Sequence, residues 1–318
     1  MNKKLGIPYM GGKRSLSKPI LDYILEYNPK TKYVYDLFGG GGSVSFQTLQ
    51  YKQIEKVYYN ELNTGIFELL KKIQSEGVTD EFYQWIDRET YHKHKNDKDW
   101  FGGLIATCWS FGNNQQDYLF SKENETMKKP LHEIIVNKCE DSIKEFYELS
   151  GLLVDKDLLR GETINQRRLD VMSFVKKSNI GRFKLKRLQQ LEQLEQLQQI
   201  ERVQQLKQLQ QLIISNLSYE DVEITTPIEE TIIYLDPPYK NTAKYHHGID
   251  HEKLYEYIRN SPYKIYMSGY DTPFPIVKEF THICTFAQSL NNKVIERLFC
   301  NREEIKPKDV SPFDEWCT

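Results

Sequence analysis

The stretch that most restricts the fold is Glu-Thr-Ile-Ile-Tyr-Leu-Asp-Pro-Pro-Tyr, residues 230–239. Ile232 to Leu235 form a short apolar run that begins with two β-branched residues. Such a run reads as a central strand, buried on both faces. Proline has no N–H to give to a ladder, so Pro237 and Pro238 end the strand. Their rings also stiffen the backbone beyond it. Asp236 and Tyr239 are therefore expected at fixed positions just past the carboxyl end of a central strand.

A second strand end lies far upstream, in Lys-Tyr-Val-Tyr-Asp-Leu-Phe-Gly-Gly-Gly-Gly-Ser from Lys32. Tyr33 to Tyr35 suit a short buried strand, Asp36 to Phe38 close it, Gly39 to Gly42 turn, and Ser43 to Leu49 begin a helix. Glycines permit positive φ and let a ligand approach the backbone. In a doubly wound sheet, the crevice at such a strand end is the usual ligand site. The pattern is neither GxGxxG nor a Walker loop. Lys56 to Asn63 suit a second strand, and Glu61 stands about 20 residues beyond the turn, where an acid commonly accepts hydrogen bonds from ribose hydroxyls. Strand, glycine turn, helix, strand and acid together point to a nucleoside-containing cofactor. Upstream, Gly11 and Gly12 permit a tight turn that presents Lys13.

The chemistry at residues 236–239 follows from the groups present. The Asp236 carboxylate and the Pro237 carbonyl are acceptors for the two N–H groups of an exocyclic amine. The Tyr239 ring offers a flat stacking surface. A methyl transfer to that amine gains mainly from proximity and orientation, and requires neither a metal nor a covalent nucleophile.

Together Pro8-Tyr9, Gly11-Gly12-Lys13, Asp36-Leu-Phe38-Gly-Gly-Gly-Gly-Ser43, Glu61 and Asp236-Pro-Pro-Tyr239 resemble the Dam-type (D12 class) DNA adenine N6-methyltransferases. The resemblance covers about residues 5–65 and 212–300. It implies a Rossmann-like α/β methyltransferase sheet with an inserted, mainly helical target-recognition domain. It implies S-adenosyl-L-methionine as donor, with Tyr9, Lys13, Asp36, Phe38, Gly39, Gly41, Glu61 and Asp236 around the cofactor. It implies Asp236, Pro237 and Tyr239 at the reacting amine of a flipped adenine. A cytosine N4-methyltransferase, a catalytically silent DNA-binding relative and an RNA methyltransferase are the competing readings. Asp at the head of the Pro-Pro-Tyr motif, with the motif order, favours adenine.

Residues 64–183 are expected to read the target in double-stranded DNA. A helix is expected from Thr64, and a polar loop around His92 and His94, with no third ligand for a metal. Trp109, Phe111, Asn113 and Asn114 combine aromatics that can wedge beside bases with amides that can read adenine edges. Nine basic residues between Arg160 and Arg187 oppose only Glu162 and Asp170, a field of about +7 able to neutralise phosphates. Arg182 and Lys184 are expected on the DNA backbone, and Arg167 and Arg168 on a guanine or a phosphate. This middle region departs from the pattern of GATC-reading members.

From Leu188 to Leu212 apolar residues recur every third position. On a helix of 3.6 residues per turn, that line slips by 60° per step and cannot follow one straight partner. Residues 184–211 are read as a Gln/Leu-rich helical insertion or connector: either part docks on the catalytic body while part faces solvent, or local 3₁₀ turns tighten the period, or the tract is a low-complexity insertion with partial disorder. The expected boundaries are thus 1–63, 64–183, 184–211 and 212–318. Five scattered cysteines suggest a reducing compartment, and no apolar run approaches a membrane span. A cytoplasmic, bacterial or bacteriophage-encoded enzyme is expected. It has no obligate protein partner, though a restriction endonuclease can share its site.

Overall fold

The computed structural model describes residues 5–178, 192–206, 208–238, 249–283 and 293–304. In chain order the elements are α1 (Ser17–Tyr27), β1 (Tyr33–Asp36), α2 (Ser43–Thr48) and β2 (Lys56–Asn60). Seven helices follow: α3 (Thr64–Ser75), α4 (Arg88–His94), α5 (Trp100–Cys108), α6 (Lys122–Asn137), α7 (Glu140–Ser150), α8 (Ile164–Lys177) and α9 (Glu192–Gln204). Then come β3 (Leu212–Ser215), β4 (Thr231–Leu235), α10 (His251–Asn260), β5 (Lys264–Gly269), β6 (Ile276–Ile283) and β7 (Lys293–Cys300). Two compact units result. The first comprises Met1–Gly6, Gly11–Asn63 and Lys207–Thr318; the second comprises Ile7–Met10 and Thr64–Leu206.

The first unit is built on one sheet of order β3-β2-β1-β4-β5-β7-β6. The five strands from β3 to β5 pair in parallel, and β7 runs antiparallel between β5 and β6. This is the expected Rossmann-like α/β sheet, with a helical block inserted between β2 and β3. The apolar run at 232–235 forms β4, buried throughout. Alternation divides its side chains between the two faces. Ile232 and Tyr234 pack with Ile20 and Ile24 of α1, and Ile233 and Leu235 with Leu254 and Ile258 of α10. The chain leaves β1 for β2 on one side and returns to β4 on the other. That reversal opens a crevice at the carboxyl ends of β1 and β4.

The second unit is helical and corrects two expectations. His92 and His94 lie on α4, which Asp87 caps by accepting from the Thr90 N–H at 2.8 Å, rather than in a polar loop. The described residues of the Leu/Gln repeat do not form one continuous helix. Its first described part is α9, which packs on α5 and on the turn at Asp80–Tyr83 and meets α8 through the Arg168–Glu195 pair. Leu194, Leu197, Ile200 and Val203 are all buried. The 60° slip spreads these four over half the helix circumference, which suits a helix enclosed by several neighbours. Leu209 falls in a 3₁₀ turn and Leu212 opens β3, so the same repeat ends as an edge strand.

Candidate active site

Register brings the two distant motifs together. Asp36 pairs with Tyr234 across β1 and β4, so Asp236 projects two residues beyond Asp36 at the same sheet end. Pro237 is buried at this strand end. Asp236 Oδ1 accepts from Lys13 Nζ at 2.8 Å. The Lys13 carbonyl accepts the N–H groups of Leu16 and Ser17, which ties it to the start of α1. Tyr9 belongs to the segment Ile7–Met10 that goes with the second unit. Tyr239 lies outside the described residues, as do Arg182 and Lys184.

The glycine turn is shaped by Tyr59. Its hydroxyl donates to the Gly40 carbonyl at 2.6 Å, and the Gly39 N–H donates to the Asn60 carbonyl at 2.8 Å. A Cβ on Gly39 would fall 2.1 Å from the Tyr59 ring, so space rather than φ requires glycine there. Gly42, at φ +68°, needs glycine for its conformation and precedes α2. Gly41 is buried in the same turn, and Phe38 packs its ring 5.3 Å from that of Tyr219.

Glu61 follows β2 and is nearly out of water. Its Oε2 accepts from the Gly40 N–H at 2.6 Å and its Oε1 from the Asn63 N–H at 2.8 Å. Burial raises its pKa, and those backbone N–H groups oppose the rise. Asp36 is buried as well, and Ser45 Oγ donates to its Oδ2 at 2.7 Å. Its Oδ1 is buried with no hydrogen-bond partner among the described residues. Burial pushes the Asp36 pKa up to about 7; the Ser45 hydrogen bond opposes this, and the charges of Asp236 and Glu61 add to it. The crevice thus gathers acids whose charge invites a cation.

Two groups here escaped the sequence reading. Asn60 donates to the Leu37 and Leu217 carbonyls at 3.2 and 3.0 Å, clamping the strand ends. Glu296 on β7 is buried, with Oε1 3.7 Å from Lys13 Nζ. A Glu on the same strand face as core Leu298 was the available signal. Ser268 is a core residue, 2.6 Å from the Tyr234 hydroxyl. Tyr270 is exposed, and its carbonyl accepts from Arg297 at 2.8 Å.

In the second unit the expected DNA contacts divide by exposure. Trp109 is 0 % exposed and meets Trp85 edge to face, 5.0 Å between ring centres, so it is a core residue and not a stacking surface. Arg167 is 6 % exposed and donates to the carbonyls of Ile135, Val136, Gly161 and Glu162. Arg168 is also buried, 2.8 Å from Glu195 of α9 and 3.2 Å from Asn165. Both arginines are committed to protein groups. Asn114 shapes its own turn: its Oδ1 accepts from the N–H groups of Gln116 and Asp117, and its Nδ2 donates to Asp117. Asn113, at φ 58°, donates to the Thr107 carbonyl at 3.0 Å. Phe111 stands out from this braced turn, 63 % exposed.

The family model described as D12 class N6 adenine-specific DNA methyltransferase matches residues 9–299 of the chain. No curated protein matches it.

Proposed function

Starting from the fact that the chain belongs to the D12 class N6 adenine-specific DNA methyltransferases, we propose how its own residues serve that reaction. The enzyme methylates the exocyclic N6 of adenine in DNA, with S-adenosyl-L-methionine as donor. The family decides for adenine over the cytosine N4 reading.

The crevice fits this donor. Asp36 has a buried oxygen without a hydrogen-bond partner among the described residues, at the strand end where the glycine turn begins. The bound donor supplies a methyl group on a positively charged sulfonium. Asp36 stabilises the positive charge of the donor, and Phe38, Gly39 and Gly41 shape its cradle. Glu61 accepts the ribose hydroxyls, since each carboxylate oxygen retains acceptor capacity beyond its backbone N–H.

Asp236 and the Pro237 carbonyl hold the two amine hydrogens, which turns the nitrogen lone pair toward the methyl. Lys13 fixes the direction of the Asp236 carboxylate. Tyr239 stacks on the adenine after it leaves the duplex. The observation that supports this reading is the register that sets Asp236 two residues beyond Asp36 at one sheet end.

In the second unit, Phe111 meets the bases, Asn113 and Asn114 hold its turn, and Arg182 and Lys184 contact phosphates. Arg167 and Arg168 brace the helices instead. Cys108, Cys139 and Cys300 are free thiols, in keeping with a reducing setting such as the cytoplasm. No helix among the described residues is long and apolar enough to cross a membrane. A restriction endonuclease acting on the same site is the natural protein to test beside it.

The test is to incubate the purified chain with adenine-containing double-stranded DNA and tritiated S-adenosylmethionine, then digest the DNA and identify the labelled nucleoside. N6-methyladenine is expected. Label only in N4-methylcytosine, or only in RNA offered as competitor, overturns the assignment. Mapping methylated sites by sequencing then gives the recognition sequence.

A further inference from the structure

β7 carries an acid where the sheet calls for an apolar residue. Glu296 and Leu298 lie two apart and share a strand face. Leu298 belongs to the core that includes Leu16 and Ile20 at the start of α1. Leu298 pairs with Ser268 and Arg297 with Gly269, so Glu296 lies just past the carboxyl end of β5. Its side chain is 4 % exposed. Lys13, tied by its carbonyl to the start of α1, reaches both Asp236 Oδ1 at 2.8 Å and Glu296 Oε1 at 3.7 Å.

Removing charges from water is costly unless they are compensated. One ammonium against one carboxylate would already balance. Here one ammonium stands between two carboxylates, which leaves the trio with a net charge of −1. The ammonium is hydrogen-bonded to Asp236 and drawn by the Glu296 charge 3.7 Å away, so its attraction is shared between the two acids. Asp236 therefore keeps acceptor strength for an amine while its direction stays fixed. Burial of Lys13 and Glu296 makes both effects larger than they would be in water.

We infer that Glu296 is a positioning residue for methyl transfer, sharing Lys13 with Asp236 so that the Asp236 carboxylate is both aimed and charged. This rests on Asp236 being the group that accepts the adenine amine. Glu296 itself touches neither substrate nor donor in this scheme.

The experiment uses the full chain. Glu296→Gln keeps the shape and removes the charge. Its single-turnover methylation rate should fall roughly 10- to 100-fold, the size of effect a small misplacement of reacting groups produces. Affinity for S-adenosylhomocysteine and for DNA should stay within about threefold, which separates positioning from ligand binding. Glu296→Asp keeps the charge with a shorter reach, and its rate should lie between wild type and Glu296→Gln; it also serves if the Gln variant melts too low. The double variant Lys13→Gln/Glu296→Gln should be no slower than Lys13→Gln alone, because the effect passes through the lysine. A Glu296→Gln rate within about twofold of wild type, additive losses in the double variant, or an equal loss of S-adenosylhomocysteine affinity overturns the inference. Asp236→Ala separates the two layers. If it remains active, the underlying role of Asp236 fails; if it is inactive while Glu296→Gln is active, only the role of Glu296 fails.

Discussion

Asp36 accepts a 2.7 Å hydrogen bond from Ser45 on one carboxyl oxygen and buries the other without a hydrogen-bond partner among the described residues. A buried carboxylate that is only half satisfied resists ionisation. Burial, together with the charges of Asp236 and Glu61, accordingly raises its pKa to about 7.

The sign of the stability effect follows. Between the ordinary carboxylate range and about pH 7, the folded protein holds a proton that the unfolded chain has released. The stabilising contribution of Asp36 is complete below its unfolded pKa and is lost as pH rises through about 7. Thermal melting of the donor-free protein should therefore drop between about pH 5 and about pH 8, and Asp36→Asn should flatten that part of the profile. An unchanged slope in the variant would refute this.

A cation placed against Asp36 reverses its preference. Binding of S-adenosylmethionine should release part of a proton near about pH 6.5, and affinity should rise with pH up to about 7. Calorimetry in buffers of different ionisation enthalpy measures the proton. S-adenosylhomocysteine, which lacks the sulfonium charge, should release less.

Asp236→Ala should lower methyl transfer by on the order of 10²–10³-fold, the usual loss when one preorganised polar contact to a reacting centre is removed. Binding of S-adenosylhomocysteine should persist. Tritium transfer in single turnover, read beside a melting curve, separates lost chemistry from lost fold.

Arg167→Met should cost about 2–4 kcal/mol in urea unfolding, because it strips four carbonyls of a buried charged donor. Among molecules still folded, the salt dependence of DNA affinity should not change. A slope shallower by about one would show that Arg167 neutralises a phosphate after all.

Phe111→Ala should leave stability within about 0.5 kcal/mol, as expected for an exposed side chain. Its DNA affinity should weaken by about 1–3 kcal/mol, the scale of one aromatic–base contact. Fluorescence of 2-aminopurine at the target position should report reduced base opening. Unchanged affinity and fluorescence would remove Phe111 from the interface.

The strand ends were legible because their signals are local. Two prolines stop β4 wherever the chain goes, and Gly40 and Gly42 turn the chain after β1 at positive φ. Glu61, next to β2, was within reach of the same reasoning. Where the Leu/Gln repeat would dock was not, because a three-residue period spreads its apolar residues over half a helix and fits several kinds of surroundings. Only the packing of α9 showed that Leu197 and Ile200 are core residues of the helical unit.

The sequence by itself thus determined the sheet, the glycine turn, the acid after β2 and the Asp-Pro-Pro-Tyr strand end. Their signals lie in a few neighbouring residues, although Gly39 is also held by the Tyr59 ring and the strand pairing is made by the whole chain. Tertiary structure alone decided which charged and aromatic groups are available. It buried Trp109 and Arg167, left Phe111 exposed, and put Glu296 of β7 beside Lys13. Burial and long-range pairing are properties of the whole packed chain, and Lys13 and Glu296 look alike in sequence whether they face water or each other.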